Sequence, residues 1–259
     1  MTPPHPFILN KPSELRDFWP AMPYPLFSQS TQANELDIRG DNWRIKAVNE
    51  TSKLPTLHDQ KILVGLWSMV LADINSGYLS SNYISIVKSD LCEVLRKTNS
   101  GSDYNRIKLS FERLVHTKYF FQTNTSTLIP KGKTFKWIES FTSNRDGYHI
   151  QIPTWFMEIL KHEQTAFLKI NPAFLKMKPL ESALYRIALR SVSKNSFRYR
   201  FETIRDRLNS NQSKSKLLKR IYQISASKGL IDFDITVEAS LKGYSLIFSK
   251  VRGVIHAEL

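Results

Sequence analysis

Between Ile62 and Ile74 the chain is apolar almost all the way round a helical turn. A helix with no polar face has no stable place at a surface, so other elements must wrap it. The longest mostly apolar run, Ile62 to Ala72, is too short to cross a bilayer, which takes ~20 residues. The chain is therefore expected to fold around a buried central helix and to make no use of a membrane. Its N-terminus lacks a basic-then-apolar leader pattern. A single cysteine, Cys92, rules out an intrachain disulfide and reads as a small buried hydrophobe. Together these point to the cytoplasm. A length of 259 residues leaves room for two ordinary domains, and 41% hydrophobic residues suffice to give each a core.

The elements around that helix follow from periodicity and punctuation. Residues 1–30 hold Pro3, Pro4, Pro6, Pro12, Pro20, Pro23 and Pro25, the composition of an arm that does not pack. Gly40-Asp41 between alternating stretches predicts a hairpin over Glu35–Asn49. Thr56-Leu-His-Asp59 predicts a capping box at the start of the central helix. A strand over Tyr83–Val87 and a helix over Asp90–Thr98 follow. The next helix, Asp103–Thr117, aligns Tyr104, Ile107, Phe111 and Leu114 in one apolar stripe. Tyr119–Gln122 and Phe135–Phe141 read as a hairpin whose loop carries Lys131 and Lys133, with Tyr148–Ile152 as a further strand. Helix, strand, helix, turn, helix and basic hairpin is the order of a winged helix.

The order then repeats without sequence identity. After a short helix at Pro153–Leu160, Leu180–Val192 turns Leu184, Ile187, Ala188 and Ser191 inward. Phe201–Leu208 is a short helix, and Asn209–Ser213 is a polar turn with Ser213 as N-cap. Lys214–Lys228 buries Leu217, Leu218, Ile221 and Ile224, and strands at Ile231–Val237 and Tyr244–Val251 meet at Lys242-Gly243. The expected fold is α+β with two tandem winged-helix domains: an N-terminal arm and hairpin (1–55), a first winged helix (56–152) and a second (153–259).

Charge separates the two parts. The chain carries +14, and residues 156–259, with 19 basic and 9 acidic side chains, hold +10 of it. Such a surplus calls for a polyanionic partner. The helix Lys214–Lys228 contains no acid, whereas a merely solvated face interleaves acids for i,i+4 pairing. Ser213, Lys214, Ser215, Lys216, Lys219, Arg220 and Gln223 form its outward set, the side chains that read guanine and adenine edges in a major groove. Arg186, Arg190, Lys194, Arg198, Arg200, Arg205 and Arg207 would extend the basic surface to phosphates. On the earlier helix Asn105, Arg106, Lys108 and Arg113 form a weaker set, diluted by Asp103 and Glu112. Lys131, Lys133 and Lys136 sit on the adjoining hairpin.

Three motif fragments carry no chemistry. Gly132-Lys133-Thr134 imitates the end of a phosphate-binding loop, but the first glycine is replaced by Thr127 and a strand follows instead of a helix. His162-Glu163 imitates half of a zinc-protease motif whose second histidine is Ala166. Asp232-Phe-Asp234 sets two carboxylates on one strand face, which reads as a solvated face before it reads as a metal site. No catalytic residue, metal or cofactor is expected.

Several stretches resemble the plasmid replication initiators of the RepA type, the replication initiator protein A group, akin to TrfA-like and iteron-binding initiators. They are Pro25-Leu-Phe-Ser28, Thr56–Leu63, Tyr104–Lys108, Glu112–Leu114 and above all Leu175–Ala188, which is similar to the family's K-P-L-E-R-x-L-Y-E-I-A helix. Ser182 and Arg186 depart from that pattern, a change expected to bear on partner contacts more than on the fold. Ser210–Arg220 resembles the family's Ser-rich turn into a basic recognition helix. The resemblance implies binding of direct repeats in double-stranded origin DNA, melting of a nearby A·T-rich segment, recruitment of host initiator and helicase proteins, and often a homodimer that dissociates to act. A winged-helix transcriptional repressor is the alternative reading, and a nickase or primase a more distant one.

Overall fold

The computed structural model describes residues 7–28, 32–79, 81–125, 127–145, 147–191, 196–210, 212–241 and 243–251. In chain order the first part contains β1 (Phe7–Ile8), β2 (Leu15–Phe18), β3 (Glu35–Arg39), β4 (Trp43–Asn49), α1 (Leu57–Asn75), β5 (Tyr83–Val87), α2 (Lys88–Val94), α3 (Gly101–His116), β6 (Thr117–Thr123), β7 (Thr134–Phe135), β8 (Ser140–Ser143) and β9 (Gly147–Gln151). The second contains α4 (Thr154–His162), β10 (Phe167–Ile170), α5 (Pro179–Ser191), β11 (Ser196–Arg200), α6 (Phe201–Leu208), α7 (Lys214–Ala226), β12 (Phe233–Ser240) and β13 (Gly243–Lys250). The fold is mixed α and β.

The apolar helix is the spine. α1 opens with the expected capping box, the Asp59 carboxylate accepting from Thr56 N at 2.6 Å. Ile62, Leu66, Trp67, Met69 and Val70 are buried on all its sides. Three of its buried polar side chains, Asp59, Ser68 and Asp73, each pin another segment. Ser68 Oγ accepts from Arg16 N at 2.8 Å. Asp73 accepts from Asn10 N at 2.8 Å and from Asn10 Nδ2 at 2.7 Å. Asp59 takes the Arg113 guanidinium. A buried polar group must be satisfied, so each of these bonds fixes where a neighbouring chain segment lies.

Two apolar clusters surround the spine. The larger joins α1, α3, β4–β6, β8, β9 and α4, with Trp67, Trp137 and Phe156 at its aromatic centre. The smaller collects Phe174, Leu184, Tyr185, Phe201, Ile204, Leu217, Ile221, Phe233 and Phe248. They meet at the segment Leu175–Ala188. Lys61 of α1 donates to the carbonyls of Leu175 (3.1 Å) and Met177 (2.5 Å), and burial pulls its amine down to about 8.

One strand order recurs in two sheets. β5, β9 and β8 lie side by side in that order, with β1 added parallel to β5. β11, β13 and β12 lie in the same relative order. In both, a strand following a long helix pairs with the second strand of a later hairpin. At β9 the two backbones come so close that a Cβ on Gly147 would stand 2.6 Å from the Ile86 carbonyl oxygen, and only glycine fits. The remaining sheets are β3-β4-β6-β7 and the antiparallel pair β2-β10.

Several expectations need correction. Residues 7–28 are not a loose arm: β2 pairs with β10 from Leu15↔Ile170 to Phe18↔Phe167, and Leu9, Phe18, Leu26 and Phe27 are buried. Pro3, Pro4 and Pro6 lie outside the described residues. The hairpin beside α3 is β8–β9. The loop carrying Lys131 and Lys133 instead joins β6 to β7 in the sheet with β3 and β4, because β6 pairs with β4 from Trp43↔Thr123 to Asn49↔Thr117. β7 is two residues long, so Phe135–Phe141 is not one strand. Asp232 and Asp234 do not share a face. Asp232 is buried, accepting from Tyr185 Oη at 2.7 Å and Asn171 Nδ2 at 3.0 Å, while Asp234 is exposed.

Candidate nucleic-acid interface

α7 is held chiefly by its apolar side. Leu217, Leu218, Ile221 and Ile224 are buried, and Ser213 Oγ caps the helix by accepting from Lys216 N at 3.4 Å. Ser213, Lys214, Ser215, Lys216, Lys219 and Gln223 are exposed, and Arg220 is half-buried. They share one helix, its first turn and its outward side. Lys214 is partly engaged, 3.3 Å from Glu202 and over the rings of Phe201 (5.7 Å) and Tyr244 (5.2 Å). Among the described residues no carboxylate pairs with Lys216, Lys219 or Arg220. The result is a row of uncompensated cations at a helix face, a surface that attracts polyanions.

The surrounding arginines are mostly structural. Arg186, expected to face phosphates, is buried: its Nε donates to Asp17 Oδ2 at 2.6 Å, and Gln60 lies against it. An unpaired guanidinium could not stay there, so the departure from the family pattern at Arg186 serves the fold. Arg190 stacks on Trp19 at 4.1 Å. Arg207 stacks on Tyr199 at 4.5 Å and donates to its hydroxyl at 2.7 Å. Arg198 pairs with Glu238 at 2.8 Å. Lys194 and Lys242 lie outside the described residues.

α3 differs. Ser100 caps it and Asp103 locks the preceding turn, accepting from Thr98 Oγ1 at 2.6 Å and from Ser100 Oγ at 3.1 Å. The hydrogen bond from Thr98 is the largest cause holding the Asp103 carboxyl down at about 2. Ile107, Phe111 and Leu114 are buried. Asn105 and Arg106 are exposed. Lys108 is exposed but 3.7 Å from Glu112. Arg113 is committed to Asp59, with Nε–Oδ2 at 3.0 Å and Nη2–Oδ1 at 2.5 Å. Lys131 and Lys133 are exposed on their own loop, where Gly132 takes φ +69° and donates to the Phe121 carbonyl at 2.8 Å. Thr134 enters β7, so no helix opens after Lys133 to hold a phosphate.

Sequence reasoning passed over three exposed side chains. Tyr222 lies on α7 beside Lys219 and Gln223, 46% exposed, and Leu109 lies on α3, 42% exposed. Arg145 lies in the β8–β9 turn. The signal for that turn was present in Asn144-Arg-Asp-Gly147, a hairpin composition. No group of three His, Cys, Asp or Glu among the described residues is placed to hold a metal. No described helix is long and apolar enough to cross a membrane.

The fold has solved counterparts. The crystal structure of domains 2 and 3 of RctB matches with a TM-score of 0.64 at 18% identity, over 90% of this chain and 98% of that one. A second structure of RctB domains 2–3 gives 0.58 at 16%, over 90% and 97%. At these identities the likeness speaks for the fold. No curated protein matches. The model of the replication initiator protein A family matches residues 16–244, from β2 to the start of β13. The chain belongs to the replication initiator protein A family.

Proposed function

We propose that this initiator acts in the cytoplasm by binding direct repeats in double-stranded plasmid origin DNA, through two tandem winged-helix modules at 56–152 and 153–259 that follow an N-terminal segment and hairpin. The recurrent strand order β5-β9-β8 and β11-β13-β12, each behind a three-helix set, supports the winged-helix reading. α7 enters a major groove with Lys216, Lys219, Arg220 and Gln223 toward the bases and Ser213, Lys214 and Ser215 at the backbone. α3 takes a second groove about 10 bp away with Asn105, Arg106 and Lys108, while Arg113 holds the helix in place. Lys131 and Lys133 lie outside both modules' hairpins and contribute general attraction only. A homodimer that dissociates, and contacts to host initiator and helicase proteins, belong to the same reading, as does the absence of a cofactor or catalytic site.

The observation that carries the proposal is the acid-free face of α7, with Lys216, Lys219 and Arg220 uncompensated. The test is selection of duplexes from a random pool by the full-length chain, followed by footprinting on the parent replicon. Recovery of a repeated sequence that coincides with the replicon's origin is expected. A pool that returns no common sequence would sink the proposal.

A further inference from the structure

The face of α3 that solvent sees runs through Ser102, Asn105, Leu109, Glu112 and His116, spaced as one helical side. Leu109 is its apolar midpoint, 42% exposed. A single exposed leucine is ordinary; its surroundings are what single this one out. Leu109 opens onto a groove of about 620 Å³ that runs between α3, the 51–53 loop and β8 of the adjacent hairpin, with Lys53, His116 and Phe141 among its walls. The one acid lining that groove, Glu112, lies beside Lys108. What remains is an apolar contact point close to the exposed Lys53, which no carboxylate among the described residues pairs, and a leucine beside a lysine suits a polyanion presenting methyl groups. Thymine in a major groove is such a surface, because its 5-methyl is the apolar feature of the base code.

Resting on the DNA-binding reading above, we propose that Leu109 is a specificity-determining residue that covers a thymine 5-methyl, with Asn105 on a neighbouring adenine. Asn105 and Leu109 are four residues apart, about 6 Å along the helix, close to the rise of two base pairs at ~3.4 Å each. An amide that pairs with adenine and a leucine that covers thymine one or two steps on make α3 a reader of A·T pairs. α3 then has a chemistry distinct from the lysine-rich α7.

The experiment uses the duplex enriched by the full-length chain, with each thymine replaced in turn by uracil, which removes the methyl and leaves pairing intact. For the wild-type chain, one or two positions should lose about fourfold in affinity, the worth of one buried methyl-sized group. Leu109→Ala should bind the thymine duplex more weakly and be indifferent to uracil at those positions, and Leu109→Met should keep the penalty. Thermal melts of all three should coincide, because Leu109 is exposed. A flat uracil scan, or the same penalty in wild type and Leu109→Ala, overturns the proposal while leaving DNA binding standing. So does a Leu109→Ala chain that changes oligomeric state with its uracil penalty intact, which would mark the leucine as a contact between copies. A pool with no common sequence defeats the DNA-binding reading itself.

Discussion

α3 and α7 each follow a helix, a strand and a second helix and each precede a hairpin, with β6 and β7 inserted after α3, and both bury an apolar stripe, yet their charged side chains are used differently. Besides Ile107, Phe111 and Leu114, α3 is tied down by its charged side chains: Arg113 on the buried Asp59, Asp103 on Thr98 and Ser100, Lys108 beside Glu112. α7 rests on Leu217, Leu218, Ile221 and Ile224, with one serine cap and a single ion pair from Lys214 to Glu202. A helix whose charges hold the fold has few left for a ligand. A helix held by leucines and isoleucines can offer its cations outward. The contrast teaches that a count of basic residues includes charges that α3 and several upstream arginines spend within the fold, whereas Lys216, Lys219 and Arg220 of α7 have no such carboxylate partner among the described residues.

The largest expected effect tests whether that outward charge drives binding. With roughly six to ten phosphates contacted, affinity for duplex DNA should fall ~10³–10⁵-fold between about 50 and 200 mM salt in a fluorescence anisotropy titration. A nearly flat salt response would break the comparison at its root.

Next is the frame itself. Arg113→Ala leaves Asp59 buried without its cation, which costs about 3–5 kcal/mol of stability. Thermal melting should show this as a large drop, and Asp59→Asn with Arg113→Ala should recover part of it. An unchanged melt, with a selective loss of DNA affinity, would make Arg113 a ligand contact after all.

Lys219→Ala with Arg220→Ala is expected to leave the melt unchanged and to weaken specific affinity by ~1–3 kcal/mol for each base-reading side chain removed. Arg106→Ala with Lys108→Ala should cost less. Binding of both double variants to the selected duplex and to random duplex, across a salt series, separates the two helices. Equal losses, or losses identical on both DNAs, would remove α7 as the reading head.

The smallest effect is a pH dependence of the Asp103 lock on α3. Hydrogen bonds hold Asp103 at about 2, below the usual carboxylate range, so its contribution is present above about pH 4 and is lost as pH falls toward 2. Acid titration of stability should show that loss in the wild-type chain. Asp103→Asn should lack this component, with its deficit constant above about pH 4 and shrinking below it as the wild-type chain loses its own contribution. Ser213→Ala, which removes the cap of α7, should show a deficit independent of pH.

Much of this was legible in the chain because it is local. The 3,4 spacing of Ile107, Phe111 and Leu114, and of Leu217, Leu218, Ile221 and Ile224, announces α3 and α7. Ser213 announces where α7 begins, and Thr56 with Asp59 announces α1. The acid-free composition of α7 is likewise a property of the sequence alone, and it placed the candidate site. Tertiary structure decided what depends on partners far along the chain. β6 joined β4 instead of standing beside α3, a partner far back in the chain that the local alternation of Tyr119 and Phe121 does not name. Residues 15–18 became a strand only because residues 167–170 were there to pair with them. Arg186 is as charged in the sequence as Lys219. One lies against Asp17 inside the protein and the other faces solvent, and the desolvation of a cation is set by what folds around it, which no local pattern records.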